Sequence, residues 1–432
     1  MILFNQETKT FHLKTSKTSY LMKVLETGHL LHLYWGRPLK SENLDYTVRR
    51  KDWFSFVANT DNIDAFHLES KEQEYPGYGS TDLRSPAIEL EFADGTSATD
   101  FRYVDYKIVD GKPALEGLPA TYVEADKEAQ TLIITLTDKV KNVDVELSFT
   151  VFEEYNAIAR SVKVINKSAD DVKIQRVLSA NVDFKDSKFE MIQLSGSWAR
   201  ERHIIRTPLR IGGQCVESRR GASSHAQNPF MALVRKDATE TNGDVYAMSL
   251  VYSKARMQIG INPFDFTWLL KAGEEFQAPE AVLVYSNEGL TGMSHTYQNL
   301  YGKRLMRGVW RDKARPVLIN NWEATYFDFN ETKIKEIAKQ ASEFGIELFV
   351  LDDGWFGERN NDDRSLGDWF VNENKIRGGL KKLVDEINGM GMKFGLWFEP
   401  EMVCPISKLY EAHPDWCLHI EGRTRSTARR QL

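Results

Sequence analysis

Glu347-Leu348-Phe349-Val350-Leu351-Asp352-Asp353-Gly354-Trp355-Phe356-Gly357 runs from four consecutive apolar residues straight into two carboxylates, a glycine and a tryptophan. A continuous apolar run bounded by turn residues is the pattern of a strand buried on both faces, as in a parallel sheet. On its N-terminal side, Pro316-Val317-Leu318-Ile319-Asn320-Asn321 is a second such run. It is followed by Ile334, Ile337, Ala338, Ala341 and Phe344 at helical spacing, with Gly345 as the stop. On its C-terminal side, Leu380, Leu383, Val384 and Ile387 keep helical spacing, and Phe394-Gly395-Leu396-Trp397-Phe398 is a third apolar run. Alternation of buried strands with amphipathic helices predicts a parallel sheet covered by helices. A small doubly wound sheet fits less well, because no glycine-rich phosphate fingerprint follows any of the strands.

Working outward, the pattern upstream changes. Val143-Asp144-Val145-Glu146-Leu147-Ser148-Phe149-Thr150-Val151 alternates apolar and polar residues, the signature of a half-buried antiparallel strand. Similar segments are His29 to Trp35, Thr131 to Thr137, Ser161 to Val164 and Leu178 to Phe184, while Asp94-Gly95 and Asp110-Gly111 suit tight hairpins. A helical stretch around Ser294 to Leu305 and the basic segment Arg307 to Arg315 separate the two regimes. The expected fold is therefore multidomain, β plus α/β. Residues 1–300 are expected to form an antiparallel β-sandwich, and residues 301–432 a linker and the first three units of a (β/α)8 barrel. Such a barrel takes about 250 residues and only about 120 follow Arg315, so the chain reads as a fragment or a truncated gene product.

The 432 residues carry 62 acidic and 56 basic side chains, a net charge of -6 that argues against a nucleic-acid partner. Hydrophobic residues at 42% and charged residues at 27% exclude a disordered chain. Cys215, Cys404 and Cys417 are too few and too scattered for a disulfide framework or a paired-thiol metal site. The N-terminus lacks the pattern of a secretion signal and no apolar run approaches membrane-spanning length, so a cytoplasmic location without a membrane partner is expected.

In parallel α/β folds functional groups gather where strands end. The three strand ends read Asn321-Trp322-Glu323-Ala324-Thr325-Tyr326, Asp352-Asp353-Gly354-Trp355 and Trp397-Phe398-Glu399-Pro400-Glu401-Met402, each pairing carboxylates with tryptophan. Carboxylates accept from hydroxyls, and an indole face suits the C–H surface of a sugar, so the combination describes a carbohydrate pocket. An isolated Asp-Asp would be a solvated turn or a helix cap; three strand ends of like composition favour the pocket. Asp352 and Asp353 are each expected to tolerate replacement by Asn without loss of fold. Glu399 and Glu401 suit a structural ion pair as well as a site. A metal reading is disfavoured; His413 and His419 lie outside zinc spacing, and Arg377-Gly378-Gly379 reads as a turn. Arg423, Arg425, Arg429 and Arg430 read as a solvated basic run in which one arginine could serve the site.

Five segments together resemble the bacterial α-galactosidases of glycoside hydrolase family 36. They are Gln73-Glu74-Tyr75-Pro76-Gly77-Tyr78-Gly79, Ser218-Arg219-Arg220-Gly221-Ala222-Ser223-Ser224-His225, Asn320-Asn321-Trp322-Glu323-Ala324-Thr325-Tyr326-Phe327, Leu351-Asp352-Asp353-Gly354-Trp355-Phe356-Gly357 and Glu399-Pro400-Glu401-Met402-Val403. The resemblance runs over essentially the whole chain. It implies that Asp352 and Asp353 bind galactose hydroxyls, that Trp322 and Trp397 wall the pocket, and that Arg429 reaches substrate. Asp52 and Trp198 are implied as sandwich residues that approach the sugar, from a neighbouring subunit in similar tetrameric enzymes. The implied activity is retaining hydrolysis of terminal α-linked galactose from melibiose- and raffinose-type sugars, by a homotetramer, without metal or organic cofactor.

Two departures stand out. The family's nucleophilic aspartate follows a Lys-Trp pair, which is absent from residues 1–432, and its acid/base aspartate comes later still; the catalytic residues are expected beyond Leu432. The segment from Val251 to Ile261 also looks short by a hairpin. A noncatalytic galactoside-binding or regulatory protein and a galactosyl-transferring relative are the alternatives at this stage.

Overall fold

The computed structural model describes residues 1–48, 58–79, 81–219, 226–251 and 258–427. It divides into two compact units, Met1–Arg311 and Asp312–Leu432.

In the first unit, period-two segments become antiparallel strands because alternate side chains must leave water together. Val143, Val145, Leu147, Phe149 and Val151 all enter one core from the strand Val143–Phe152. That strand lies in a ten-stranded sheet between Gln130–Asp138 and Ala157–Asn166, paired antiparallel with both. A four-stranded meander over Ile2–Asn5, Thr10–Lys14, Ser19–Val24 and Leu30–Gly36 contributes Phe11, Leu13, Tyr20, Met22 and Trp35 to the same core. A third sheet, centred on Val172–Asn181, adds Val172, Ile174 and Val177. The unit is thus a layered antiparallel β domain. The other face of the large sheet is also covered: Met293, Tyr297 and Leu300 of the helix Gly289–Arg304 pack on Ala159, Ala247 and Val282. This packing carries the first unit through to Arg311.

The Asp-Gly pairs do not make the expected hairpins. Gly95, at φ +78°, closes a local turn in which the Phe92 N–H donates to Thr96 O at 2.9 Å. Gly111, at φ +79°, ends Arg102–Asp110 and opens an excursion that rejoins the sheet only at Gln130. The strand expected over Leu178 to Phe184 spans Val172–Asn181. The shortened segment after Val251 lies mostly outside the described residues.

In the second unit, Leu318–Asn320, Leu348–Leu351 and Lys393–Leu396 form a parallel sheet in that order. The helices Glu331–Glu343 and Gly379–Gly389 link consecutive strands and bury Ile334, Ala338, Leu383 and Ile387 against Phe349 and Leu351. Asn330 caps the first helix, its side chain accepting from the Lys333 N–H at 3.0 Å, and Gly345 at φ +80° follows its end. Gly378 and Gly379 are turn glycines at the start of the second, at φ +87° and +83°. Strand ends and loops therefore face one side, as the βα cycle requires.

Candidate functional site

One cavity of about 420 Å³ opens at the C-terminal ends of these parallel strands, lined by Trp322, Asp352, Asp353, Trp397, Phe398, Glu399 and Glu401. Side chains from all three strand ends meet there.

The first strand delivers its tryptophan through two asparagines. Asn320 Oδ1 accepts the Trp322 N–H at 2.7 Å, and Asn320 Nδ2 donates to Asp352 Oδ2. Buried Asn321 accepts the Asp352 N–H at 2.8 Å and donates to Thr325 Oγ1 at 2.9 Å. Adjacent strand ends are thus joined by side-chain amides, where the sheet ladder has ended. Trp322 begins the short helix Trp322–Thr325, and its ring is braced edge-on by Tyr326 at 5.2 Å and Phe327 at 5.0 Å. Tyr326 holds a positive φ of 45°, a conformation costly for an aromatic residue and common beside functional sites.

The second strand end separates two adjacent aspartates. Asp352 is half-buried and accepts from Asn320, whereas Asp353 is buried against Arg359, 2.8 Å from Nη2 and 2.9 Å from Nε. The two aspartates thus differ in surroundings: Asp353 is half of a buried ion pair, whereas Asp352 is bonded to a neutral amide. Gly354, at φ +101°, makes the turn, and a Cβ there would lie 3.1 Å from the Phe327 ring and 3.3 Å from Arg359 O. Trp355 belongs to the core, its Nε1 donating to Trp397 O at 3.0 Å and so fixing the third strand end.

At that third end Trp397 is half-buried, Glu399 buried and Glu401 exposed, and all three line the cavity. Among the described residues no three His, Cys, Asp or Glu side chains are grouped to hold a metal ion. His413 stacks on Trp416 at 4.1 Å, and Arg425 bonds the Tyr410 hydroxyl at 2.8 Å.

Of the other expected site residues, Trp198 stands 85% exposed at the hairpin tip between Phe189–Ser197 and Arg200–Pro208, in the first unit. Asp52 and Arg429 lie outside the described residues. Sequence reasoning missed Asn320, Asn321 and Phe398 as parts of the site, and Arg359 and Lys375 behind it. The asparagines were legible as polar residues directly after an apolar run; Arg359 and Lys375 sit in a loop without periodicity and left no such signal.

Indoles and carboxylates gathered at the strand ends of a parallel α/β unit are an arrangement whose chemistry suits a carbohydrate. The glycosyl hydrolase family 36 N-terminal domain matches residues 28–271, and the melibiase domain matches residues 275–432. The chain belongs to glycosyl hydrolase family 36. It is 52% identical to the alpha-galactosidase AgaA of Geobacillus stearothermophilus and 42% identical to Mel36A of Lactobacillus acidophilus, in each case over 100% of this chain and 61% of the relative. It superposes on the solved GH36 alpha-galactosidase AgaB of G. stearothermophilus with a TM-score of 0.95 at 51% identity, again over 100% of this chain and 61% of the other. The solved structures include AgaA variants in complex with raffinose and with stachyose, each at TM-score 0.94 and 51% identity, over 98% of this chain and 61% of the other. The chain thus spans about three fifths of the length of these relatives.

Proposed function

We propose that this chain supplies the galactose-binding part of a retaining α-galactosidase acting on terminal α-linked galactose of melibiose- and raffinose-type sugars. The observation that carries the reading is the convergence of Trp322, Asp352, Asp353, Trp397 and Glu399 on one cavity at the strand ends. The relatives' names and the raffinose and stachyose complexes support the substrate class.

In the pocket the indoles of Trp322 and Trp397 offer apolar faces to the sugar ring, while Asp352 and Asp353 accept from neighbouring hydroxyls. Charge-assisted bonds of this kind are strong where water is excluded, and adjacent acceptors select the hydroxyl arrangement. Retaining chemistry needs an attacking carboxylate and a carboxylic acid that protonates the leaving oxygen. In the complete protein these come from residues outside this cavity wall. Trp198, Asp52 and Arg429 join the site by the family pattern, the first two across a subunit interface of a cytoplasmic homotetramer. Trp198 is fully available for such a contact within its own unit.

The test is galactose release from raffinose by the complete protein that carries this chain. Release with retained anomeric configuration agrees with the proposal. Sugar binding without release favours a noncatalytic galactoside receptor.

A further inference from the structure

Asp353 is 6% exposed and lines the cavity, and the group that fixes it, Arg359, is 2% exposed and does not. The guanidinium meets the carboxylate as a fork. Nε lies 2.9 Å from Oδ1 and 3.2 Å from Oδ2, and Nη2 lies 2.8 Å from Oδ2. Nη1 donates to Arg364 O at 3.0 Å, so the fork is itself anchored. Two-point contact of this kind sets the plane of a carboxylate as well as its position.

Behind the same turn, the ammonium of half-buried Lys375 donates to three backbone carbonyls. These are Phe327 O at 2.9 Å, Gly354 O at 3.1 Å and Arg359 O at 3.2 Å. Phe327 belongs to the loop that carries Trp322, whereas Gly354 and Arg359 bracket the turn after Asp353. Burial pulls the Lys375 ammonium below its ordinary range, against the opposing pull of Asp353 and Asp328. Withdrawing cations from water is costly, and apolar residues of similar volume would often serve stability as well. One cation forked onto a pocket carboxylate and a second bonded to the backbone of the turn that carries it therefore point to a demand other than stability.

We infer that Arg359 and Lys375 are positioning residues of the sugar pocket. Arg359 fixes the Asp353 carboxylate so that its remaining lone pairs face the cavity, and Lys375 ties the Trp322 loop to the Asp353 turn. The inference rests on the galactoside reading above.

The experiment uses the complete protein, hydrolysis of a chromogenic α-galactoside and competitive inhibition by galactose. Arg359→Lys and Lys375→Met are compared with Asp352→Asn as control. Arg359→Lys keeps the charge but loses the fork, so KM and the galactose Ki should rise together by about tenfold; Lys375→Met should raise both by about threefold. A purely structural role would lower kcat per mole of protein with KM and Ki unchanged, and that result overturns the inference. If Arg359→Lys does not fold, Lys375→Met decides by the same criterion. If the unaltered protein binds galactose without hydrolysis, the galactose Kd of the variants decides by the same criterion; no galactose binding, or wild-type behaviour of Asp352→Asn, removes the galactoside reading and the inference with it.

Discussion

Asn320 and Asp352 stand at the ends of adjacent parallel strands, and the side-chain amide of the first donates to the carboxylate of the second. The carbonyl oxygen of Asn320 accepts the Trp322 N–H at 2.7 Å. One residue thus orients a carboxylate and an indole of the same cavity. Asn320→Asp keeps the acceptor for Trp322 but sets a like charge against Asp352, so galactose affinity should fall about tenfold or more. Titration with galactose checks this; an affinity within about twofold of the unaltered protein counts against it.

The two neighbouring aspartates should separate on stability. Asp353→Asn leaves the Arg359 guanidinium buried without its counter-charge and should cost roughly 3 kcal/mol. Asp352→Asn, half-buried and bonded to a neutral amide, should cost about 1 kcal/mol or less. Denaturant unfolding of both variants measures the difference, and equal losses would show that the Arg359 pair does not hold the turn.

In the first unit a second buried pair should behave as a coupled unit. Arg160 Nη1 lies 2.5 Å from Glu74 Oε1, the Tyr20 hydroxyl donates to both Glu74 oxygens at 2.8 Å, and the guanidinium sits 4.1 Å above the Phe149 ring. Burial, helped by Glu74, pushes the Tyr20 hydroxyl well above its ordinary range, which keeps it a donor. Arg160→Met or Glu74→Gln alone should destabilise by about 3–5 kcal/mol, and the double variant should recover a large part of the loss. Strict additivity would refute the coupling.

Acid should weaken the first unit through His29. Burial and then the Arg102 guanidinium hold its imidazole at about 4, against an ordinary 6.5, with Asp100 and Asp61 pulling the other way. The folded state thus prefers neutral His29, while the unfolded chain takes up a proton as pH falls below 6.5. The contribution is complete above about pH 6.5 and is lost towards pH 4, amounting to roughly 3 kcal/mol. His29→Gln should flatten the stability profile across that window; a slope equal to that of the unaltered protein would exclude His29 as its source.

Where the sequence was legible, periodicity was the reason. Leu348–Leu351 reads as an apolar run although only Phe349 and Leu351 are fully buried, because the helices Glu331–Glu343 and Gly379–Gly389 pack beside each other on one face of the sheet; Ile334, Ala338, Leu383 and Ile387 keep helical spacing because one face of each helix is buried. Asp352, Asp353, Trp322 and Trp397 were legible by position at strand ends. The Asp-Gly pairs misled because a positive-φ glycine fixes a local turn and says nothing about which strand comes next; Gly111 starts a long excursion instead. Arg359 and Lys375 were illegible because their roles depend on how a loop folds back on the Asp353 turn, a contact that no spacing rule encodes.

The central claim, a galactose pocket walled by Trp322 and Trp397 and read by Asp352 and Asp353, is tested most directly by calorimetric titration of the complete protein. Galactose and glucose, which differ in the orientation of one hydroxyl, are compared on the unaltered protein and on Asp352→Asn. The account predicts saturable galactose binding, glucose weaker by about tenfold or more, and a similar loss for galactose on Asp352→Asn. Equal affinity for the two sugars, or undiminished galactose binding by Asp352→Asn, would contradict it.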